Sequence, residues 1–386
     1  MDFYKYRAEV LLGSFVNANR GSHFFCARWW IDSFAQNNYQ SMAKNGSLTA
    51  ARDAKQDEFY TQLDDISNEL KHYTQHFQGK VVLCNCDDPY ESNFFKYFAV
   101  NFNKLGLKKL IATCYDGSPV QGNELLLDFG DTPDDPKKIA YKVEITEVRD
   151  YNNDGAVNLA DIRYLMQNDK NVISILKGNG DFRSDECVEL LKESDVVVTN
   201  PPFSLFREFV ALMMKYQKPF LVIGSQNNIT YKDVFRYLRN NELWLGYKSG
   251  DMSFRVPDYF EPRATRFWVD ETGQKWRSMG NICWFTNLDI QKRHEDLDLY
   301  KYYIPDEYPM YDNCDAINVA KVSEIPMDYE GAMGVPITFL DKYNPDQFEI
   351  LGLDDHHVEW RGKGPELNGK VIYRRIIVRN KKPQKP

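Results

Sequence analysis

Short apolar runs rich in β-branched residues alternate along the chain with segments whose apolar positions recur at helical spacing. The runs lie in Lys80-Val-Val-Leu-Cys-Asn-Cys-Asp-Asp-Pro89, Lys108-Lys-Leu-Ile-Ala-Thr-Cys-Tyr115, Val172-Ile-Ser-Ile-Leu-Lys177, Asp195-Val-Val-Val-Thr199 and Pro219-Phe-Leu-Val-Ile-Gly224. Phe94 to Leu105, Asp185 to Leu191 and Leu205 to Tyr216 read as helices between them. Ahead of the first run, Leu63, Ile66, Leu70 and Tyr73 mark a helix reaching Phe77, and Thr61, with Asp64 three residues on, is its expected cap. Strand and helix in alternation predict a doubly wound α/β sheet, whose ligands bind beyond the carboxyl ends of the strands. Three regions are expected: an N-terminal extension over residues 1–53, the alternating domain over 54–245, and a C-terminal region over 246–386.

The run ending at Thr199 stops in Asn200-Pro201-Pro202-Phe203. Three consecutive valines suit a strand covered on both faces. Each proline disfavours the helical region for the residue before it and donates no backbone hydrogen, so the turn is stiff and its carbonyls face outward. Such a corner suits the exocyclic amine of a nucleobase. That nitrogen is a poor nucleophile because its lone pair is delocalised into the ring, and acceptors for its hydrogens stabilise the charge that grows on it during transfer. The Asn200 side-chain oxygen and the Pro201 carbonyl are the candidate acceptors, Pro202 stiffens the corner, and Phe203 offers a face for an extruded base. The plainer alternative is a strand-ending turn with Phe203 in the core; the acid and valines before it and the helix after it favour chemistry.

Asp87, Asp88, Asp116 and Asp181 follow successive runs, where a carboxylate can accept ribose hydroxyls or an adenine amine. Acids also cap helices and turn loops, so each taken singly has an equal structural reading. No glycine-rich phosphate loop follows the first run, which weighs against dinucleotide or triphosphate binding.

With 386 residues, 43% apolar and 14% aromatic, the chain can bury a substantial core. No apolar run approaches the ~18 residues that span a bilayer, and the first residues do not resemble a secretory signal, so a cytoplasmic protein with no membrane partner is expected. Seven scattered cysteines do not make a disulfide framework, and Cys84 and Cys86 read as two buried thiols. A net charge of -8 disfavours a nucleic-acid partner at first sight, but the charge is unevenly spread. From Phe203 to Arg293 there are 14 basic residues against 9 acidic, and from Trp360 to Pro386 nine basic against Glu366 alone. Binding depends on the local face rather than the total. Lys381 to Pro386 reads as a solvated basic tail.

Several longer stretches resemble DNA adenine-N6 methyltransferases, in particular the EcoRI modification methylase family. They are Asp57-Glu-Phe-Tyr-Thr61, Cys84-Asn-Cys-Asp-Asp-Pro89, Ser92-Asn-Phe-Phe-Lys-Tyr-Phe98, Leu105-Gly-Leu-Lys-Lys109, Gly180-Asp-Phe-Arg-Ser-Asp-Glu-Cys187, Thr199-Asn-Pro-Pro-Phe-Ser-Leu-Phe-Arg207 and Phe254-Arg-Val-Pro257. The resemblance implies a Rossmann-like S-adenosylmethionine-dependent methyltransferase sheet followed by a C-terminal target-recognition region. It also implies S-adenosylmethionine as methyl donor and double-stranded DNA as substrate. By the same resemblance Tyr60 and Thr61 approach the methionine end of the cofactor, Asp87 and Asp88 lie beside it, Asp116 holds the ribose, and Asp181 and Phe182 hold the adenine. Asn200 to Phe203 are then the catalytic turn. A GAATTC-like target and a cognate restriction endonuclease acting on the same site, without direct contact, are further expectations from the likeness. Turns of this kind also serve methylation of RNA bases or of glutamine amides, which keeps those substrates as alternatives.

Asp150-Tyr-Asn-Asn-Asp-Gly-Ala-Val-Asn-Leu-Ala-Asp161 matches a calcium loop and resembles one copy of the dockerin repeat, with Asp150, Asn152, Asp154, Asn158 and Asp161 as the expected Ca2+ ligands. Its last ligand is Asp rather than Glu, and an Asn/Asp-rich turn capping a helix from Leu159 is equally supported. If calcium binding is its purpose, a non-enzymatic calcium-dependent interaction module becomes the rival function. In the C-terminal region Trp244, Trp268, Trp276 and Trp284 are interleaved with Arg255, Arg263, Arg266 and Arg277. The arginines are candidate DNA contacts, and core is the better reading for most of the tryptophans.

Overall fold

The computed structural model describes residues 59–86, 88–115, 140–169, 172–258, 260–353 and 364–384, within a compact unit spanning Gln56–Pro386. Ten strands form one sheet: β1 (Tyr60–Thr61), β2 (Val81–Cys84), β3 (Lys109–Thr113), β4 (Tyr141–Ile145), β5 (Ile173–Ile175), β6 (Val196–Thr199), β7 (Phe220–Ser225), β8 (Trp244–Arg255), β9 (Phe267–Val269) and β10 (Lys275–Thr286). Their order is β1-β8-β10-β7-β6-β2-β3-β4-β5, with β9 paired to β10. The central strands β3, β2, β6 and β7 are mutually parallel, and every pairing outside them is antiparallel.

The apolar runs form these central strands because both faces of the sheet are covered. Side chains alternate across a strand, so Val197 joins one apolar cluster while Val196 and Val198 join the other. The first cluster takes in α5 (Asp185–Glu193), α6 (Phe206–Lys215) and α7 (Lys232–Arg239); the second takes in α1 (Leu63–Leu70), α2 (Asn93–Val100), α3 (Phe102–Leu105) and α4 (Leu159–Asn168). Ser92 and Ser184 cap α2 and α5, accepting from the N–H of Phe95 and of Cys187 at 3.3 Å.

Local differences from the sequence pattern have local causes. The helix expected from Leu63 to Phe77 stops at Leu70 and continues as a 3-10 turn at Thr74–His76. Its N-cap is Gln62, because Thr61 is taken up by β1. Phe94 to Leu105 breaks at Asn101, whose side-chain amide donates back to the Tyr97 carbonyl at 2.8 Å. Cys84 ends β2 and is buried, while Cys86 lies beyond it with φ 79° and is half-buried, so the pair does not share a strand face.

The C-terminal region adds β11 (Ile317–Asn318), β12 (Ala332–Val335), β13 (Phe348–Leu353), a hairpin of β14 (Glu366–Leu367) and β15 (Lys370–Val371), and β16 (Ile376–Asn380). A second sheet has the order β11-β12-β16-β13, and its Val335, Phe348, Ile376 and Val378 continue the apolar cluster of α6 and α7. The division expected at residue 245 falls inside β8, and β8 and β10 are strands of the main sheet. The expected basic tail is tied down up to Gln384. Lys381 and Gln384 donate backbone N–H groups to the carbonyls of Gln347 and Met327 at 2.8 Å. Among the described residues no helix is long and apolar enough to cross a membrane.

Candidate active site

β6 lies between β2 and β7, and all four of its residues are buried. At its carboxyl end the Thr199 hydroxyl donates to the Asn85 carbonyl, which joins the ends of β6 and β2. The chain then turns through Asn200, Pro201 and Pro202, and the Leu205 N–H closes back on the Pro202 carbonyl at 2.9 Å. Asn200 is 6% exposed. Its amide nitrogen donates to the Phe59 carbonyl, which fixes the amide plane, and its Oδ1 is buried with no hydrogen-bond partner.

That orphaned oxygen is one of several. Among the described residues nine buried side-chain polar atoms lack a partner, and five of them sit on the segments that meet here: Thr61 Oγ1 in β1, Asn85 Oδ1 and Asp88 Oδ2 after β2, Thr113 Oγ1 at the end of β3, and Asn200 Oδ1 after β6. Each such atom costs about 1–3 kcal/mol, so their concentration at strand ends marks a place built to receive polar groups. The fold thereby fits a cofactor that carries hydroxyl and ammonium donors.

Asp88 is 1% exposed, and its Oδ1 accepts from the Tyr90 N–H and the Tyr141 hydroxyl, each at 2.9 Å. Burial pushes its carboxyl up to about 6, against these donors and the nearby Lys96. Tyr60 is buried in β1, pairs with Arg255 of β8, and has the Arg255 guanidinium 4.9 Å from its ring centroid. The Thr61 carbonyl accepts from the Asn93 side-chain amide at 2.7 Å.

Gly180 brings a third segment to the sheet. Its φ is +76°, and a Cβ there would lie 2.1 Å from the Cys114 carbonyl oxygen, so only glycine lets the turn press against the end of β3. Asp181 follows, ion-paired with Arg183 at 2.6 Å, and this guanidinium holds its carboxyl below the usual range. Phe182 is 5% exposed and packs on Phe209 with centroids 5.1 Å apart, so its ring is part of the core. Asp87 and Asp116 lie outside the described residues.

Phe203 is half-buried in an aromatic group, 5.3 Å from Phe59 and 6.3 Å from Phe254 between centroids, and Phe59 in turn meets Phe260 at 6.0 Å. Phe260 stacks on Phe267 at 6.4 Å, which leads to the β9–β10 hairpin. Of the four candidate arginines, Arg255 is paired with Glu91. Arg263 lies over Phe260, Arg266 pairs with Asp251 at 3.2 Å, and Arg277 donates to the Thr265 carbonyl at 2.6 Å. Burial and the neighbouring charges of Arg263 and Arg266 lower the Arg277 guanidinium, so these three cations stand close together. Trp284 is fully buried, as expected of a core residue, whereas Trp268 is 41% exposed and stacks on Trp276 at 6.1 Å.

The side chains expected to ligate calcium are engaged with the chain itself. Asp150 accepts from the N–H of Gly155 at 2.8 Å, Asp154 from that of Ala156 at 3.0 Å, and Asp161 from those of Tyr151 and Asn158 at 2.8 and 2.9 Å. The side-chain amides of Asn152 and Asn158 both donate to Asp154, and Asn158 with Asp161 makes the capping box of α4. The acids and amides thus serve a turn and a helix start, and among the described residues no group of three or more His, Cys, Asp or Glu is arranged to hold a metal ion.

Phe59, Asn85, Thr113 and Tyr141 belong to the site by geometry and were not singled out from the sequence. Asn85 and Thr113 carried a usable signal, being polar residues at the ends of apolar runs. Tyr141 carried none, since β4 follows an acidic stretch without clear periodicity.

Comparison with known proteins agrees with this geometry. The family model described as adenine-specific methyltransferase EcoRI matches residues 47–381. The chain is 47% identical over 351 residues to the Type II methyltransferase M.EcoRI of Escherichia coli, covering 89% of this chain and 99% of that protein. It is 36% identical over 348 residues to M.MgeORF184P of Mycoplasma genitalium (85% and 97% covered) and 37% identical over 354 residues to M.MpnI of Mycoplasma pneumoniae (86% and 97% covered), both Type II methyltransferases. No solved structure matches significantly. An orphaned Asn-Pro-Pro corner at the mouth of a mixed α/β sheet, together with similarity along nearly the whole chain, means that this protein belongs to the EcoRI family of adenine-specific methyltransferases.

Proposed function

We propose that the protein methylates N6 of adenine at a specific site in double-stranded DNA, acting on a base turned out of the helix, and that Asn200, Pro201, Pro202 and Phe203 form the corner that grips it. Support comes above all from Asn200 Oδ1, a buried acceptor left open while the other end of the same amide is held by Phe59. When bound, S-adenosylmethionine supplies a methyl group on a positively charged sulfur, which becomes a neutral thioether as the methyl leaves. Asn200 Oδ1 and the Pro201 carbonyl accept the two hydrogens of the amine and so favour the positive charge that develops on nitrogen as the new N–C bond forms. A proton then leaves that nitrogen for solvent, so no strong general base is needed. Phe203 stacks on the base, with Phe59 and Phe254 holding its ring.

The cofactor is held in this reading by Thr61, Asp88 and Tyr60, with Asp181 and Phe182 toward its adenine and Asp87 and Asp116 completing the acidic loops. The sheet is Rossmann-like in this account, the region beyond β8 carries target recognition, and Arg263, Arg266 and Arg277 contact the DNA backbone. Arg255 steadies the cofactor side through Glu91 and Tyr60. A GAATTC-like site, a cognate endonuclease and a cytoplasmic location accompany the proposal.

Asn200→Ala tests it. Methyl transfer from tritiated donor to unmodified DNA is expected to fall at least about 100-fold, as when a charge-stabilising acceptor is removed, with cofactor affinity within about threefold of the parent. Undiminished transfer would remove the corner from the mechanism. Offering RNA and protein in the same assay separates the alternative substrates, and modified-base sequencing of the product DNA reads the site.

A further inference from the structure

We propose that Tyr141 is a positioning residue for cofactor capture: from β4 its hydroxyl fixes the Asp88 carboxylate so that one oxygen is held ready for the cofactor's primary ammonium group. This rests on the reading of Asp88 as a cofactor-binding acid and goes beyond it by assigning a role to a residue that acts through Asp88.

Two donors converge on a single oxygen. The Tyr90 N–H and the Tyr141 hydroxyl both reach Asp88 Oδ1 at 2.9 Å, and Oδ2 is left buried and unpartnered. Donors shared between the two oxygens would satisfy both; donors gathered on one lock the carboxylate plane and reserve the other. Tyr141 can do this because its own place is set. It is 5% exposed, pairs with Ile175 of β5, and its carbonyl accepts the Cys114 N–H at 3.1 Å. The open oxygen follows β2, as does the orphaned Asn85 oxygen, and the neighbouring strand β3 ends at the orphaned Thr113 hydroxyl.

The surroundings favour a cationic partner. Among the described residues Lys96 on α2 is the cation acting on Asp88, and its own charge is disfavoured by burial and by Arg163. The other titratable groups acting around Asp88 among the described residues are Tyr90, Tyr141 and the Cys114 thiol, which burial and Asp88 push up to about 12. None of these three supplies a positive charge. Burial outweighs the Tyr90 and Tyr141 donors and Lys96 and leaves the free Asp88 carboxyl at about 6, and an ammonium ligand pairs with the ionised form.

The test is calorimetric binding of S-adenosylhomocysteine to the full chain between about pH 5 and 7.5, below the titration of the ligand's own ammonium. For the parent, affinity is expected to fall about tenfold per unit below about pH 6. Tyr141→Phe keeps the ring and removes a donor that favours the ionised form, so the midpoint is expected to rise by about one unit. Affinity then drops about threefold at pH 6.5 and about tenfold at pH 5, and nearly recovers by pH 7.5. Methylthioadenosine, which lacks the ammonium, is expected to bind without this pH dependence. An unshifted midpoint in Tyr141→Phe, whether affinity is unchanged or lowered equally at every pH, overturns the proposal. Asp88→Asn separates the two layers: parental affinity in that variant defeats the cofactor reading of Asp88 itself. Weak, pH-flat binding in Asp88→Asn with an unshifted Tyr141→Phe defeats only the role of Tyr141.

Discussion

At the scale of one residue, the role proposed for Asp88 would come at the expense of the fold, because its carboxyl is buried with one oxygen unpartnered. Its carboxyl is raised from 3.8 to about 6, with burial as the largest cause, so the folded protein holds a proton where the unfolded chain has lost it. The sign follows: stability falls as pH rises from about 4 through about 6 and stays at the lower level above. The cost at neutral pH is on the order of 2–3 kcal/mol. Asp88→Asn removes the charge while keeping the shape, and an amide oxygen can still take the donors from Tyr90 and Tyr141. That variant is expected to melt a few degrees higher than the parent at pH 7.5, an advantage that shrinks below pH 6 and vanishes near pH 4, while it binds cofactor more weakly. Melting curves at the three pH values check this, and an advantage independent of pH would assign the gain to something other than the buried charge.

At the scale of elements, what was legible in the sequence is what local physics decides. Val196 to Val198, Val81 to Leu83 and Phe220 to Ile223 read as covered strands because β-branched and aromatic runs have few other stable settings, and they are the central parallel strands. The corner after β6 was legible because two prolines restrict the backbone whatever surrounds them. Long-range pairing was not. Thr61 read as a helix cap, but Tyr60 and Thr61 find Arg255 and Phe254, almost 200 residues later in the chain, and become a strand. The pattern of Asp150 to Asp161 has two readings in sequence, because the same acids that can ligate a cation also bind backbone N–H groups and cap a helix, as they do here. Gly180 lies between these cases: the sequence shows a glycine, and only the fold shows the Cys114 carbonyl 2.1 Å from where a Cβ would stand. Gly180→Ala is therefore expected to push the Asp181 segment off the end of β3, weakening S-adenosylhomocysteine binding at least about tenfold and costing about 1–3 kcal/mol of stability. Calorimetry together with chemical denaturation checks both, and parental values in each would show that the turn has room to shift.

At the scale of the whole molecule, an acidic protein must present a local cationic face if it is to hold DNA. The chain carries a net charge of -8, yet Arg263, Arg266 and Arg277 gather around the β9–β10 hairpin closely enough that two of them lower the third. Crowding like charges is unfavourable in the free protein and would be relieved by a phosphate among them, which is why the proposed reading puts the duplex backbone at the hairpin. The hairpin is linked to the Asn200–Phe203 corner by ring contacts from Phe267 through Phe260 and Phe59 to Phe203. Backbone contacts act by releasing counterions, so each lost contact reduces the dependence of affinity on salt by about 0.9 in a plot of log K against log salt. Replacing Arg263 and Arg266 together by alanine is expected to lower that slope by about two, and to weaken binding to a duplex several-fold at about 50 mM salt but less at about 200 mM. The rate at saturating DNA is expected to stay near the parental value, since the proposal gives these side chains a role in backbone binding and none in methyl transfer. Equilibrium binding at a series of salt concentrations decides the matter: a slope equal to the parent's would move the phosphate contacts elsewhere, whereas a lost saturated rate with an unchanged slope would tie the arginines to the hairpin's packing instead.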